Sequence, residues 1–198
     1  MPEDFEVVPL TAETADLINA FECSIAPPYT TELVEYLKTK ALPETQQSVS
    51  TTWLWVDAKK RLGAYATLSA TSVPSRAGLG ATLGSSKPFI PAVMIDQLAV
   101  ADYVLNEPDV HLGYAVFLWA RREVVLLNRR VGCRLIRLDV QIGNWGAYRA
   151  YRKPETWNLK ALPAMTLRGK VVEQRNGTLE PVPDAAREGP PEHLDPET

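Results

Sequence analysis

The alternation of apolar and polar residues divides most of this chain into short strands and helices. Alternating or compact apolar runs predict strands at 5–10, 51–56, 64–73, 89–100, 133–142 and 165–172. Apolar residues spaced three and four apart predict helices at 11–21, 32–39, 112–128 and 144–151. The order β-α-α-β-β-β-α-β-α-β predicts an α+β fold with a mixed, mainly antiparallel sheet and helices on both faces.

Local sequence signals set the ends of these elements. Pro43 ends the second helix, and the polar turn at 57–63 joins two strands as a hairpin. Apolar residues nearly surround the helix at 112–128, so we expect it to be well buried, and Gly132 suits its left-handed stop. The glycine-rich stretch at 74–88 lacks the spacing of a phosphate loop and opens no helix, so it is predicted to be a plain loop.

The last residues of the chain differ in composition from the rest. Prolines stand among acidic and small residues, and few side chains there are large and apolar, so this stretch cannot build a core. We therefore expect a folded domain at 1–172 and a Pro-rich acidic tail at 173–198. The tail is either solvated or ordered against a partner or a cleft.

Composition narrows the classes of function. The chain has 198 residues, 45% hydrophobic and 23% charged, as in soluble globular proteins. A net charge of −3 gives no basic excess, so a nucleic-acid partner is not expected, and no apolar run is long enough for a membrane span. The acidic N-terminus does not resemble a signal peptide, so a cytoplasmic location is expected. With two cysteines and two histidines, a zinc site or a Ser-His-Asp triad is hard to build.

Asn144, Ala147 and Tyr151 form the most informative pattern, directly after a predicted strand. The Asn144 side chain can accept from the free N–H groups of the next helix, which makes it a candidate cap. Ala147 and Tyr151 are four residues apart and share one helical face. A phenol held there could donate a proton to a leaving group.

This pattern resembles the segment after the fifth strand of the GNAT superfamily of N-acetyltransferases, in which such a tyrosine lies beside the sulfur of coenzyme A. The predicted order of elements is similar to that fold over residues 5–172. The resemblance implies an acyl-CoA-dependent N-acyltransferase that uses acetyl-CoA or another acyl-CoA as cosubstrate. The amine would attack the thioester directly, and Tyr151 would protonate the leaving thiolate.

The resemblance also implies a set of cofactor-binding residues. The fourth strand is expected to separate from its neighbour and offer backbone groups to the pantetheine arm, while the next helix start holds the pyrophosphate. The implied residues are Leu98, Ala99, Val100, His111, Leu112, Gly113, Tyr114, Asn144 and Tyr151.

The sequence departs from the family at the pyrophosphate turn. The usual signature is Gln/Arg-x-x-Gly-x-Gly/Ala, and only Gly113 matches it, at the final small position. Pro108 and His111 stand at the earlier positions, so the loop is degenerate. His111 could supply a donor in a rebuilt loop, whereas Asp109 near a diphosphate would be repulsive.

Asp96 is the only acid in the strand at 89–100. Simple alternation places it on one face with Met94, Leu98 and Val100. In family members with a carboxylate base, the base lies on this strand, so Asp96 is the candidate that deprotonates the amine, directly or through water. The alternative is an aspartate that contributes only a structural hydrogen bond.

The acceptor is not defined by the sequence beyond a small-molecule or protein amine, and a homodimer is left open. Tyr29, Glu32 and Glu35 lie where the family recognises acceptors. Five aromatic residues are either core or lining of an apolar acceptor site: Trp53, Trp55, Tyr65, Trp145 and Trp157. Two other functions compete, namely a catalytically degenerate GNAT-fold binding protein and a GNAT-type toxin that acylates aminoacyl-tRNA. The acidic charge balance weighs against the toxin.

Overall fold

The computed structural model describes residues 4–24, 29–75, 86–107, 110–133 and 135–139, and the backbone of 174–175 and 178–179. Within these ranges the larger sheet has five strands in the spatial order β1-β2-β3-β4-β5. The strands are β1 (Phe5–Pro9), β2 (Thr51–Asp57), β3 (Leu62–Pro74), β4 (Phe89–Val100) and β5 (Leu135–Leu138). The predicted strands in these regions are confirmed.

The helices in the described part of the chain connect and cover this sheet. They are α1 (Tyr29–Thr39), α2 (Ala41–Gln46), α3 (Asp102–Leu105) and α4 (Leu112–Val131), with a single 3-10 turn at Ala15–Ile18. Strands β1 to β4 pair antiparallel, and β5 pairs parallel with β4. A parallel pair needs a long crossover, and α4 lies within it. The predicted fold class, a mixed and mainly antiparallel sheet, is confirmed.

Helices cover both faces of the sheet. On one face, Trp53 and Trp55 of β2 contact Trp119 of α4, with ring centroids 5.2 and 5.1 Å apart. Tyr65 of β3 pairs with the residue between these two tryptophans, so it projects from the opposite face. There its hydroxyl donates to the Leu33 carbonyl of α1 at 2.7 Å. Trp55 and Tyr65 are fully buried core residues, whereas Trp53 is half-buried. Trp145 and Trp157 lie outside the described residues, so their role stays a prediction.

The predicted helix at 11–21 is wrong, because only a 3-10 turn forms there. The Thr14 hydroxyl accepts from the Thr11 N–H at 2.8 Å and donates to the Pro9 carbonyl at 2.9 Å. A threonine that bonds nearby backbone groups in this way competes with helix formation. Ile18 and Phe21 are nevertheless buried, as their apolar character requires.

Pro43 does not terminate a helix, contrary to expectation. Helix α1 ends at Thr39, and Pro43 is the third residue of α2. The first N–H groups of a helix have no internal acceptor, so a proline there sacrifices no hydrogen bond.

Helix α4 forms where expected and runs to Val131. Gly132 ends it with φ 71°, and its N–H donates to the Asn128 carbonyl at 3.1 Å. The expectation of burial all round is wrong for the second half, where Val125 is 55% and Val131 67% exposed. Only the side toward the sheet is covered: Leu112, Ala115, Val116, Phe117, Trp119, Ala120 and Val124 are buried.

The chain divides into two compact units, residues 1–138 and 139–198. In the second unit, β6 (Gln174–Arg175) pairs antiparallel with β7 (Thr178–Leu179). The predicted helix at 144–151, the strand at 165–172 and most of the loop at 74–88 lie outside the described residues. The domain boundary at 172 therefore stays a prediction. None of the helices that the structure describes is long and apolar enough to cross a membrane.

Candidate functional site

Strand β4 extends beyond its pairing with β5. The parallel register runs from Ala92 opposite Leu135 to Ile95 opposite Leu138. Farther along, from Gln97 to Val100, the described pairing of β4 is with β3 alone. Residues after 139, which would continue β5, lie outside the described part of the chain, so the expected separation of the two strands stays a prediction.

A β-bulge lies in β4 just beyond its described pairing with β5. Gln97 pairs with Thr67 and Ile95 with Leu68, so Asp96 is the extra residue of β4. Bulges bend a strand and redirect side chains, and they often occur beside active sites. The Oδ2 atom of Asp96 is buried.

The bulge overturns the predicted grouping of side chains on β4. Met94 pairs with Ser69, whereas Leu98 pairs with Ala66. Since Ser69 and Ala66 are three residues apart in β3, they project from opposite faces, and so do Met94 and Leu98. Simple alternation failed here because an inserted residue reverses the phase of a strand.

The backbone beyond the bulge presents alternate residues to the two edges of β4. The Ala101 N–H donates to the Gly63 carbonyl at 2.8 Å, toward β3. One residue later, the Asp102 N–H donates to the Glu22 carbonyl at 3.1 Å, on the side away from β3. Residues 22–24 therefore run along the outer edge at the end of β4.

The same alternation places the predicted backbone donors. The amides of Leu98 and Val100 face the outer edge, whereas Ala99, which pairs with Tyr65, faces β3. Of the three predicted strand residues, two thus present their amides to the edge of β4 that faces away from β3.

The start of α4 lies against the end of β4. A Cβ atom added to Gly113 would lie 3.5 Å from Cγ2 of Val100, an ordinary contact distance. His111, at the N-cap, is exposed and makes no side-chain cap bond, and the first turn contains no acidic residue. The first-turn N–H groups of Leu112 and Gly113 have no acceptor within the helix, so this end suits an anion. Pro108 and Asp109 lie outside the described residues.

Neither cysteine has the properties of a nucleophile. Burial raises the pKa of Cys23 to about 11; the negative charge of Asp102 adds to this, and the hydrogen bond from Val100 opposes it. Burial likewise raises the pKa of Cys133. The thiolate is the reactive form, so neither thiol is activated near neutral pH.

A polar cluster that the sequence did not reveal lies between the first helices and the sheet. Glu44 Oε2 of α2 accepts from the Tyr36 hydroxyl at 2.7 Å and from Ser50 Oγ at 3.1 Å. Burial, together with the hydrogen bond to Glu44, raises the pKa of Tyr36. Thr67, whose hydroxyl also contacts Tyr36, pairs with Gln97, so the cluster leads to the bulged part of β4.

The other predicted acceptor and acid residues are placed only in part. Glu32 and Glu35 are exposed on α1. Only the backbone of Tyr29 is described, and its side chain is not. Asn144 and Tyr151 lie wholly outside the described residues. Their roles stay predictions.

The topology defines the class of fold as GNAT-like, with a mainly antiparallel sheet, a parallel last pair and an α4 crossover. No protein-family model and no curated protein sequence matches the chain. The likeness is to solved structures and concerns the fold.

Three of these solved structures illustrate the likeness. A tyrosine-to-phenylalanine mutant of KacT has a TM-score of 0.62 and 16% identity, over 74% of this chain and 84% of that one. AtaT complexed with acetyl-methionyl-tRNAfMet has a TM-score of 0.59 and 14% identity, over 73% and 83%. A tyrosine-to-phenylalanine mutant of the AtaT toxin, bound to acetyl-CoA and the C-terminus of the antitoxin AtaR, has a TM-score of 0.55 and 15% identity, over 74% and 81%.

Proposed function

We propose that this chain is an acyl-CoA-dependent N-acyltransferase that transfers an acetyl or related acyl group to an amine. The observation that carries the proposal is the end of β4, where the amides of Leu98 and Val100 face away from β3. The uncapped start of α4 lies at the same end. A structure of similar fold was solved with acetyl-CoA, which supports this class of cosubstrate.

The proposed binding mode uses backbone groups more than side chains. The first-turn N–H groups of α4 hold the diphosphate, and His111 adds a donor from the exposed N-cap position. The outward amide of Leu98 pairs with the pantetheine arm. The Val100 amide donates to the thioester carbonyl and stabilises the negative charge that develops on its oxygen.

The proposed chemistry is a direct transfer with two proton movements. The amine nitrogen attacks the thioester carbon, so a C–N bond forms and the C–S bond breaks. Asp96 accepts the proton that the amine loses, directly or through water. Tyr151 donates a proton to the leaving sulfur, and solvent restores both side chains.

The acceptor has a second candidate, aminoacyl-tRNA. The charge balance argues against a nucleic-acid partner, but AtaT, of similar fold, was solved with acetyl-methionyl-tRNAfMet. Four exposed arginines on α4 give this chain a local basic surface: Arg121, Arg122, Arg129 and Arg130. Thiol release with small amines and with aminoacyl-tRNA, compared in one assay, separates the two acceptor classes.

Acetyl-CoA is expected to stabilise the folded protein. At a hundredfold excess over its dissociation constant, the ligand adds about 2.7 kcal/mol to the free energy of unfolding. For a chain of this size, the melting temperature should rise by about 5–10 °C. Thermal unfolding with ATP at the same concentration controls for general anion effects. Absence of a shift with millimolar acetyl-CoA would favour a binding protein without this cosubstrate.

Replacing Tyr151 with phenylalanine should lower the turnover rate by about a hundredfold, the lower end of the effect of a positioned acid. The effect is modest because a thiolate, with a free pKa of about 8.5, leaves readily without full protonation. The acetyl-CoA thermal shift should be unchanged in Tyr151→Phe. Stopped assays of thiol release measure the rate, and a variant as fast as the native protein would remove Tyr151 from the acid role.

A further inference from the structure

The register of β4 places Gln97 on the face of the sheet that α1 covers. Gln97 pairs with Thr67, and directly paired residues project from the same face. Thr67 lies two residues from Tyr65 in β3, so these two side chains share that face as well. There the Tyr65 hydroxyl donates to the Leu33 carbonyl of α1. The half-buried Gln97 side chain therefore lies on the α1 side, next in sequence to the proposed base Asp96.

The polar side chains that continue this row across the sheet are bonded to one another. The Thr67 and Thr52 hydroxyls are fully buried, and their oxygen atoms lie 2.9 Å apart. The Thr52 N–H donates to Thr45 Oγ1 of α2 at 3.3 Å. Buried polar groups normally find partners within the protein in this way.

The carboxamide of Gln97 differs from its neighbours. It makes no hydrogen bond with another residue in the described part of the chain. Asp96 and Gln97 are also the only polar side chains of β4, and they stand together at the bulge. A half-buried amide at such a point is available to a bound molecule.

The chemistry of a carboxamide indicates what it would bind. It offers an acceptor oxygen and two N–H donors without a charge, so it suits a neutral carbonyl or hydroxyl. A second ammonium group on the acceptor would be held better by a carboxylate. Consecutive Cα atoms lie about 3.8 Å apart, so a group bound by Gln97 lies close to the proton that Asp96 accepts.

We propose that Gln97 selects the amine acceptor by hydrogen-bonding a neutral carbonyl or hydroxyl close to the reacting nitrogen. This inference rests on the proposed function and names its substrate class: amines with such a neighbouring group, rather than simple alkylamines or polyamines. Gln97 transfers no proton. Its part is to orient the acceptor, so that the nitrogen faces the thioester carbon.

Gln97→Met in the full chain keeps the side chain long but removes both hydrogen-bonding groups. With glycinamide, whose amine lies beside a carbonyl, kcat/KM should fall by about tenfold, the effect of one lost hydrogen bond. With ethylamine, which lacks such a group, kcat/KM should change by less than about twofold. Comparing native protein and variant for each amine separately cancels the difference in basicity between the amines.

Gln47→Met is the matched control, because it makes the same change at an exposed glutamine at the end of α2. It should leave kcat/KM unchanged for both amines. Calorimetry should give equal acetyl-CoA affinity for the native protein and both variants, and circular dichroism checks that each is folded.

The side-chain amide of Gln97 also reports on acceptor binding without activity. Its NMR signal is the glutamine amide signal that is missing from the spectrum of Gln97→Met. In native protein saturated with coenzyme A, which carries no acyl group to transfer, glycinamide should shift this signal and ethylamine should not.

The outcomes separate the role of Gln97 from the function on which it rests. A loss confined to glycinamide, together with the NMR shift, supports the assignment. Equal losses with both amines, no NMR shift, or a native protein that acylates ethylamine but not glycinamide overturns it and leaves the transferase proposal intact. A native protein that releases no thiol with any amine overturns the transferase proposal and, with it, the role of Gln97.

Discussion

Asp96→Asn is expected to lower the rate of acyl transfer by about a thousandfold, within the range of a positioned general base. Asparagine keeps the shape and polarity of the side chain but cannot take a proton from the attacking amine. Asp96 is the inserted residue of the β4 bulge, and one of its carboxylate oxygens is buried. The position is therefore fixed by the strand rather than by a mobile loop.

The decisive measurement separates catalysis from binding. The acetyl-CoA dissociation constant should stay within a few-fold of the native value in Asp96→Asn, because the base acts on the amine. The rate deficit should shrink at high pH, where more of the amine is already deprotonated. Glu107→Gln, an exposed acid away from the bulge, should leave the rate unchanged. A fully active Asp96→Asn protein would assign Asp96 a structural role only.

Trp55→Ala should lower the free energy of unfolding by about 3–5 kcal/mol, the usual cost of emptying a large aromatic site. Trp55 is fully buried in β2 and meets Trp119 edge to face, with centroids 5.1 Å apart. Its loss removes one of the two aromatic contacts between β2 and Trp119 of α4. Because α4 also supplies the proposed anion site, acetyl-CoA binding should weaken in parallel.

Trp55→Phe is the matched control for this site. The indole Nε1 atom is buried and has no acceptor among the described residues. A buried donor without a partner costs roughly 1–3 kcal/mol, so phenylalanine loses packing but removes that penalty. We expect a net loss of about 1 kcal/mol or less from these opposing terms. Denaturant unfolding measures both variants, and equal losses for Phe and Ala would contradict this account.

The sequence predicted the long elements well because their patterns are strong. Strand β4 forms over Phe89–Val100 as expected, and α4 begins at Leu112 and stops at Gly132. The short segment at 11–21 was mispredicted, because the hydrogen bonds of Thr14 to nearby backbone outweighed its apolar spacing.

The site was less predictable than the fold. Asp96 was selected as the only acid of its strand, but its bulge depends on the register between β4 and β3, which alternation within one strand does not encode. The Tyr36–Glu44 hydrogen bond joins two successive helices, α1 and α2. Residue spacing within one helix cannot predict a contact between two helices. Tyr151 and Asn144 were chosen from spacing and a family resemblance, and their roles stay predictions.

The parallel β4–β5 pair also bears on how the protein acquires its binding site. The β2–β3 hairpin joins near neighbours such as Trp55 and Ala64, whereas Ala92 meets Leu135 only after a long intervening stretch has been closed. Loop-closure entropy makes such distant pairings slow. We therefore expect the antiparallel block to assemble first and β5 to dock late. A chain trapped before that step would contain the antiparallel strands without β5, so a ligand whose site needs the complete sheet would stabilise only the finished fold.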